Sequence, residues 1–198
     1  KKCHGSNWRA SWLPTAPSTL WKKFLKLIQL LPQYEWCLGS HNVQLQDKLN
    51  YKGYYETNIY AEAAKKYDIK SILKPGDTLY GECYGSSVQG GYTYGCAEGE
   101  RKLIFFDLMR DGRYVDVDEF FKFCDDNNLP HVPELYRGPY DPDVLRGLTF
   151  GPSVIAPSQE VREGIVIKPL KERAGYAGRS VLKFVSDDYL LGKNTDFH

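Results

Sequence analysis

The sequence contains no apolar run close to the ~18 residues that a membrane-spanning helix needs. Its first residues also lack the charged stretch followed by an apolar stretch that forms a signal peptide. These absences predict a protein that has no membrane partner and is not secreted. Because no initiating methionine is present, we expect that further sequence precedes Lys1.

Cysteine is too scattered to form a framework. The cysteines are odd in number and none belongs to a Cys-x-x-Cys pair; they are Cys3, Cys37, Cys83, Cys96 and Cys124. This pattern excludes a disulfide-stapled domain and a zinc site. It predicts reduced, half-buried thiols in a cytoplasmic, nuclear or other intracellular reducing compartment.

The chain has no strong excess of either charge, because its formal net charge is +1. This value neither indicates nor excludes nucleic acid. Residues 162–183 carry six basic groups against two acidic groups, whereas residues 107–134 carry eight acidic groups against three basic groups. The basic stretch fits a phosphate-rich ligand on one face. Taken alone, it fits a solvated charged surface better.

Apolar residues make up 42% of the 198 residues, which is typical of a globular chain. Strands are predicted over residues 78–84, 103–109, 113–117, 165–168 and 180–185, where β-branched and aromatic residues are bounded by turn residues. Helices are predicted over residues 20–31, 58–67 and 143–148, and from Asp116 or Asp118 through Cys124. The predicted fold class is α+β, with mostly antiparallel strands in one continuous domain.

The first predicted helix, residues 20–31, is strongly amphipathic. Its apolar residues recur at helical spacing with lysines opposite, and Pro32 ends it. We expect its apolar face to pack on the core. The alternative is a basic face that contacts nucleic acid.

Five short elements follow one another along the chain in an order that is hard to obtain by chance. They are KCHGSN at residues 2–7, YGECYG at residues 80–85, FFD at residues 105–107, EGIVIKP at residues 163–169 and LK at residues 182–183. Together they supply a nucleophile, carboxylates, an aromatic face and further lysines. This set suits nucleotidyl transfer.

The first element offers a nucleophile. A neutral amine of Lys2 can attack the α-phosphate of a nucleotide and form a phosphoramidate. Since a free lysine has a pKa near ~10.4, nearby cations, desolvation or a metal must lower it. Lys168 and Lys183 are candidate neighbours. Gly5 would allow a tight backbone turn, and donors to phosphate or sugar come from His4, Ser6 and Asn7.

The middle elements offer groups that suit a nucleoside. Glu82 lies in a predicted strand between two glycines and can accept hydrogen bonds from ribose hydroxyls. Of the two phenylalanines in the FFD element, we favour Phe106 for stacking on a purine, because it precedes the acidic Asp107. The alternatives are an exposed strand carboxylate and two phenylalanines in the core.

The last elements offer groups that suit a metal and a phosphate. Glu163 precedes an apolar strand and lies beside basic residues, so it is a plausible Mg²⁺ ligand, directly or through water. Lys183 stands between apolar residues in a predicted strand, which makes sense if it meets a phosphate in a cleft.

In these motifs the chain resembles the nucleotidyltransferase domain of ATP-dependent polynucleotide ligases, and most closely the RNA ligases. His4 stands where DNA ligases and capping enzymes have Asp, and Glu82, Phe106, Glu163 and Lys183 match the later motifs in order. The runs GSHNVQL at residues 39–45, GECYG at residues 81–85 and LKFVS at residues 182–186 are similar to the Deinococcus-type nick-sealing RNA ligases.

The resemblance implies a mechanism of three steps that uses ATP and Mg²⁺ or Mn²⁺. Lys2 would form lysyl-AMP, the AMP would move to a 5′-phosphate, and a 3′-hydroxyl would then displace it. By position in the motifs, Glu82 would bind ribose, Phe106 would stack on adenine, Glu163 would organise the metal and Lys183 would stabilise the α-phosphate. The family fold implies two antiparallel sheets flanked by helices around a nucleotide cleft, over residues 1–198.

The resemblance also implies partners and leaves alternatives. The substrate would be RNA, or the ends of an RNA-containing duplex, and an OB-like or other module would lie upstream; the oligomeric state stays open. Ser40-His41 replaces the Arg or Lys that often follows the nucleophile motif, so we expect Lys168 to help neutralise the phosphates. The alternatives are a DNA ligase, a capping-type nucleotidyltransferase, or a non-catalytic nucleic-acid-binding subunit that keeps the fold.

Overall fold

The computed structural model describes residues 5–40, 44–45, 59–86, 88, 93–156, 159–176 and 178–192. Its strands are β1 (Ser6–Pro14), β2 (Tyr34–Gly39), β3 (Gln44–Leu45), β4 (Asp77–Gly85), β5 (Arg101–Arg110), β6 (Arg113–Tyr114), β7 (Gly164–Ile167), β8 (Ala174–Gly175), β9 (Gly178–Arg179) and β10 (Leu182–Val185). Its helices are α1 (Leu20–Leu27), α2 (Ile59–Lys66), α3 (Ile69–Ile72), α4 (Val117–Asp126), α5 (Pro142–Gly147) and α6 (Asp187–Leu190). None of these helices has both the length and the apolar character needed to span a bilayer.

The described strands form three sheets. A six-stranded sheet has the order β3-β2-β1-β4-β5-β6, and two-stranded sheets are formed by β10 with β7 and by β8 with β9. The pairs β1–β2, β2–β3, β5–β6, β7–β10 and β8–β9 are antiparallel. The predicted α+β class with antiparallel sheets is therefore confirmed.

The chain divides into two compact units. The first contains Lys1–Ser6, Gly81–Phe106 and Asp116–His198, and the second contains Asn7–Tyr80 and Asp107–Val115. Each unit brings together segments that are far apart in sequence.

The interior of the first unit is built around β5. Phe105 is fully buried, and a Cβ atom at Gly81 of β4 would lie only 3.0 Å from its Cδ1 atom. Glycine at position 81 thus leaves room for the ring. The backbone of Phe105 donates to the Pro130 carbonyl at 2.8 Å and accepts from the Val132 N–H at 2.9 Å. These contacts fix which phenylalanine of the FFD element belongs to the core.

Tryptophan side chains hold the elements of the second unit together, because their N–H groups donate hydrogen bonds to backbone carbonyls. Trp8 is fully buried, and its Nε1 donates to the Tyr60 carbonyl of α2 at 3.0 Å. Trp12 Nε1 donates to the Lys70 carbonyl of α3 at 3.2 Å. The Lys70 ammonium lies 5.8 Å from the Trp12 ring centroid and 6.0 Å from that of Trp36, within cation–π range. Large aromatic rings thus connect β1 and β2 to α2 and α3.

Asp111 and Gly112 form the turn between β5 and β6, and an Asp-Gly pair in the sequence favours such a hairpin. The two residues have φ values of 47° and 78°, as a tight turn between antiparallel strands requires. The strand that follows is shorter than predicted, since β6 ends at Tyr114 and α4 begins at Val117.

The prediction for the first helix is wrong in two respects. Thr19 accepts a hydrogen bond from the Lys22 N–H and starts the helix, but α1 ends at Leu27 because Gln29 adopts a left-handed φ of 59°. No residue of α1 is buried. The exposed apolar side chains include Leu20, Trp21, Phe24, Leu27, Ile28 and Leu30. Periodicity shows that a helix has two faces, but only tertiary contacts decide what covers them.

Candidate active site

Gly5 lies directly against Glu82. A Cβ atom at Gly5 would collide with the Cys83 carbonyl oxygen and lie 2.8 Å from Glu82 Cγ. The close approach of β4 therefore requires glycine at position 5 for space. Gly5 and Glu82 belong to the same compact unit.

The structure describes only some of the other residues predicted in this first element. Lys2 and His4 lie outside the described residues, so their roles stay predictions. Asn7 is half-buried on β1 and belongs to the second unit. Its predicted role in nucleotide binding also stays a prediction.

Phe106 and Lys168 form a pair. Phe106 is half-buried while its neighbour Phe105 is in the core, so Phe106 is the ring that keeps an accessible surface. Lys168 Nζ donates to the Phe106 carbonyl at 2.6 Å and lies 5.9 Å from the centroid of the Phe106 ring. The contact joins residues 62 positions apart and places a positive charge beside an aromatic surface.

Gly164 begins β7 in an unusual backbone conformation, and Glu163 directly precedes it. The Glu163 side chain is only 3% exposed, and its carbonyl accepts from the Ser186 N–H at 2.9 Å. Gly164 has a φ of 150°, and a Cβ atom there would collide with the Phe184 carbonyl oxygen. The glycine after the glutamate is therefore required by both conformation and space. Glycine at position 164 thus allows β7 and β10 to approach closely next to Glu163.

Lys183 lies on β10 at a defined place in the ladder. It is paired with Val166 in the antiparallel register that also pairs Leu182 with Ile167. Residues directly opposite each other in such a ladder share a face. Lys183 is exposed, and no ion pair to it occurs among the described residues. Its ammonium group can therefore be reached by a ligand.

Most of the basic stretch at residues 162–183 is engaged by the protein itself. The Arg162 guanidinium binds backbone carbonyls of Leu148 and Pro152, and burial lowers its pKa. Arg179 forms two bonds to the Glu172 carboxylate, at 2.7 and 3.0 Å. Positive charge in this sequence segment thus mostly holds loops in place.

Asp116 anchors the loop that follows Lys168. Its carboxylate accepts from Lys171 Nζ at 2.8 Å and from the Glu172 N–H at 2.7 Å, and these two bonds lower its pKa. Asp116 is the N-cap residue of α4, but its side chain makes no capping bond there. Sequence reasoning missed this role, because the two partners are 55 and 56 positions away.

The described residues do not form a complete metal cage. Within the described ranges, no group of three or more His, Cys, Asp or Glu side chains could hold a metal ion. Glu163 is a single carboxylate, and Mg²⁺ commonly binds through one or two carboxylates with waters and substrate phosphates. The donor set therefore fits a metal that arrives with a nucleotide.

Comparison with known proteins gives a family match over almost the whole chain. The family model described as RNA ligase matches residues 1–185. No curated protein matches the chain significantly.

Solved structures share this fold. Two variants of a Naegleria gruberi RNA ligase, each solved with ATP and Mn, are 20% identical to the chain, with a TM-score of 0.65; they cover 94% and 96% of it. An archaeal ATP-dependent RNA ligase is 18% identical, covers 93% of the chain and has a TM-score of 0.53. The chain spans 48%, 49% and 41% of these three proteins, about half their length or less.

Proposed function

Because the chain belongs to the RNA ligase family, we propose that it is the adenylation domain of an ATP-dependent RNA ligase. The enzyme joins a 3′-hydroxyl end to a 5′-phosphate end through lysyl-AMP and an adenylated end. The family match includes segments of both compact units, which supports one domain over residues 1–198.

One observation carries the proposal. Six of the predicted site residues that the structure describes, which come from all five short elements of the sequence, lie in the same compact unit; they are Gly5, Glu82, Phe106, Glu163, Lys168 and Lys183. Packing of the core does not require a buried glutamate, an accessible phenylalanine and two lysines to be grouped in this way. A nucleotide site does.

The chemistry is three displacements at phosphorus. The neutral amine of Lys2 forms a bond to the α-phosphorus of ATP, the bond to the bridging oxygen breaks, and pyrophosphate leaves with the electron pair. A 5′-phosphate oxygen then displaces Lys2 from the AMP. A 3′-hydroxyl loses its proton, attacks the 5′-phosphate and expels AMP. Such steps depend mainly on positioning and charge neutralisation.

The described residues supply these two requirements. Glu82 accepts from the ribose hydroxyls, and the accessible ring of Phe106 stacks on adenine. Lys183 stabilises charge on the α-phosphate, and Lys168, fixed by the Phe106 carbonyl, adds positive charge near the base and phosphates. Positive charge from Lys168 and Lys183 close to the amine of Lys2 would also lower its pKa, which would raise the fraction that can attack.

ATP and a divalent metal, Mg²⁺ or Mn²⁺, are the proposed co-substrate and cofactor. The Naegleria gruberi proteins bind ATP and Mn. Glu163 is the residue that holds the metal, directly or through water. When bound, the metal neutralises phosphate charge.

The proposed substrate is RNA or an RNA-containing duplex, and the narrower likeness to Deinococcus-type nick-sealing ligases belongs to the same proposal. An intracellular reducing compartment is supported by the cysteines. Those that the structure describes, Cys37, Cys83, Cys96 and Cys124, are all buried free thiols.

Incubation with α-³²P-ATP and Mg²⁺, followed by denaturing electrophoresis, tests the proposal. The full-length protein should keep the label, and Lys2→Ala should lose it. Lys1→Ala is the matched control, because it removes an adjacent lysine and should keep the label.

Two results would contradict the proposal. An absence of label on a folded wild-type protein would exclude the covalent step and leave a binding role. A label with GTP and none with ATP would indicate a capping-type enzyme instead.

A further inference from the structure

A small hairpin lies in the chain between the two strands that carry the site. β8 and β9 pair with each other, with Ala174 opposite Arg179 and Gly175 opposite Gly178. β7 and β10 also pair with each other, and Leu182 opposite Ile167 ends that ladder. The chain that forms the hairpin therefore leaves the β7–β10 ladder after Ile167, next to Lys168, and rejoins it at Leu182, next to Lys183.

The base of this hairpin is fixed. Arg179 binds the Glu172 carboxylate through two parallel bonds, at 2.7 and 3.0 Å. The Ser180 N–H donates to the Arg173 carbonyl at 3.0 Å, and Asp116 holds the preceding loop. A bidentate Arg–carboxylate pair is geometrically specific, so the direction of the hairpin is well defined.

The tip of the hairpin presents an aromatic ring to solvent. Tyr176 is fully exposed, and no described residue stacks on it. Arg173 is also exposed and forms no ion pair within the described residues. A single exposed tyrosine is ordinary on a protein surface. Here it lies within residues 168–183, where Lys171 and Arg179 are paired with Asp116 and Glu172, but Arg173 and Lys183 are exposed and form no ion pair within the described residues.

An exposed aromatic ring next to an exposed arginine that forms no ion pair within the described residues fits a nucleic acid strand. Bases stack on exposed aromatic rings, and basic groups pair with the backbone phosphates. A lipid surface would need a larger apolar area, and an acidic peptide would not need the aromatic tip. RNA is the nucleic acid that fits the family to which the chain belongs.

We propose that the β8–β9 hairpin contacts the RNA beside the break, with Tyr176 stacked on a base and Arg173 paired with a backbone phosphate. This inference rests on the proposed ligase function. It adds a substrate contact that is separate from the nucleotide site. Lysyl-AMP formation precedes RNA binding and therefore does not use it.

The test measures both steps in the full-length protein. RNA binding is followed by fluorescence anisotropy with a nicked RNA duplex and with a single-stranded RNA of the same sequence, and lysyl-AMP formation is followed with labelled ATP. Tyr176→Ala should weaken RNA binding by about fivefold or more, the lower range for loss of one stacking contact. Tyr176→Phe should bind as the wild type does.

Arg173→Ala should weaken RNA binding and reduce the salt dependence by about one counterion. Lysyl-AMP formation should be unchanged in all three variants. Tyr140→Ala is the matched control, because Tyr140 is an exposed tyrosine of the same unit that lies beside the acidic Asp141. It should bind RNA as the wild type does.

Two results would overturn the inference. One is RNA binding by Tyr176→Ala that equals that of the wild type and of Tyr140→Ala. The other is an equal loss of RNA binding and lysyl-AMP formation, which would show that the hairpin only supports the fold. A wild-type protein that binds RNA but forms no lysyl-AMP would refute the proposed function. The RNA affinities of the variants would still show whether the hairpin contacts RNA.

Discussion

The two compact units use aromatic side chains in different ways. In the second unit, the Trp8 and Trp12 N–H groups donate to backbone carbonyls of α2 and α3, and the two side chains thereby connect these helices to β1. In the first unit, Phe105 is buried, but Phe106 keeps an accessible ring beside the Lys168 ammonium. The tryptophans of the second unit hold its elements together, whereas Phe106 of the first unit keeps an accessible ring next to a lysine.

This difference shows that neither residue type nor local pattern determines the role of an aromatic side chain. Phe105 and Phe106 are adjacent and chemically identical. Their roles separate because the strand turns them to opposite sides, and Gly81 makes room on one side only. The predictions below test whether the two units separate stability from ligand binding in the same way.

The largest effect is expected in the second unit. Trp8→Ala should lower the free energy of unfolding by about 3–5 kcal/mol, because it removes a fully buried ring and its hydrogen bond to the Tyr60 carbonyl. Urea unfolding measures this. Trp21→Ala is the control, since that ring is 67% exposed, and it should change stability by no more than about 0.5 kcal/mol. Equal losses of unfolding free energy in Trp8→Ala and Trp21→Ala would show that burial of Trp8 does not stabilise the second unit.

The next effect separates the two phenylalanines of the first unit. Phe106→Ala should weaken ATP binding by about 1–3 kcal/mol, the range for one stacking contact, with little loss of stability. Titration calorimetry with ATP measures this. Phe105→Ala should instead lower stability by about 3–5 kcal/mol, because Phe105 is in the core. Wild-type ATP affinity in Phe106→Ala would remove the proposed role of that ring.

A smaller effect is expected from the loop anchor of the first unit. The bonds from Lys171 and Glu172 lower the pKa of Asp116 below its ordinary value of 3.8. Its contribution to stability is therefore complete above that value and is lost as the pH falls through the lower folded pKa. Asp116→Asn should reduce the melting temperature at neutral pH and flatten its decline in acid.

The melting temperature, measured between neutral pH and strong acid, shows how much this anchor contributes to stability. Asp188→Asn is the control, because it removes an exposed aspartate elsewhere in the same unit. An identical acid profile for wild type and Asp116→Asn would show that the anchor adds nothing to folding.

The smallest effect is expected at α1. Leu20 and Leu27 are 84% and 79% exposed, so replacing both with Gln should change the free energy of unfolding by no more than about 0.5 kcal/mol. Guanidinium unfolding measures this. A loss of several kcal/mol would show that this face is buried, as the sequence predicted.

The elements that sequence reasoning located well are those with local signals. The turn at Asp111-Gly112 follows from turn chemistry, and the helix at α2 follows from its alanine content. The order of the ligase motifs also needed no structure. By contrast, α4 was expected to begin at Asp116 or Asp118. Asp116 is its N-cap residue, but the Asp116 carboxylate makes no capping bond and binds a loop more than 50 positions away.

The sequence by itself determined the α+β class, the family motifs and the residue types of the candidate site, because those depend on local order along the chain. Only the tertiary structure decided which phenylalanine is buried, why position 5 must be glycine, which basic groups are engaged by the protein and that the apolar face of α1 is exposed. These depend on which distant segments meet. Such contacts are set by packing and by available space, and no local pattern encodes them.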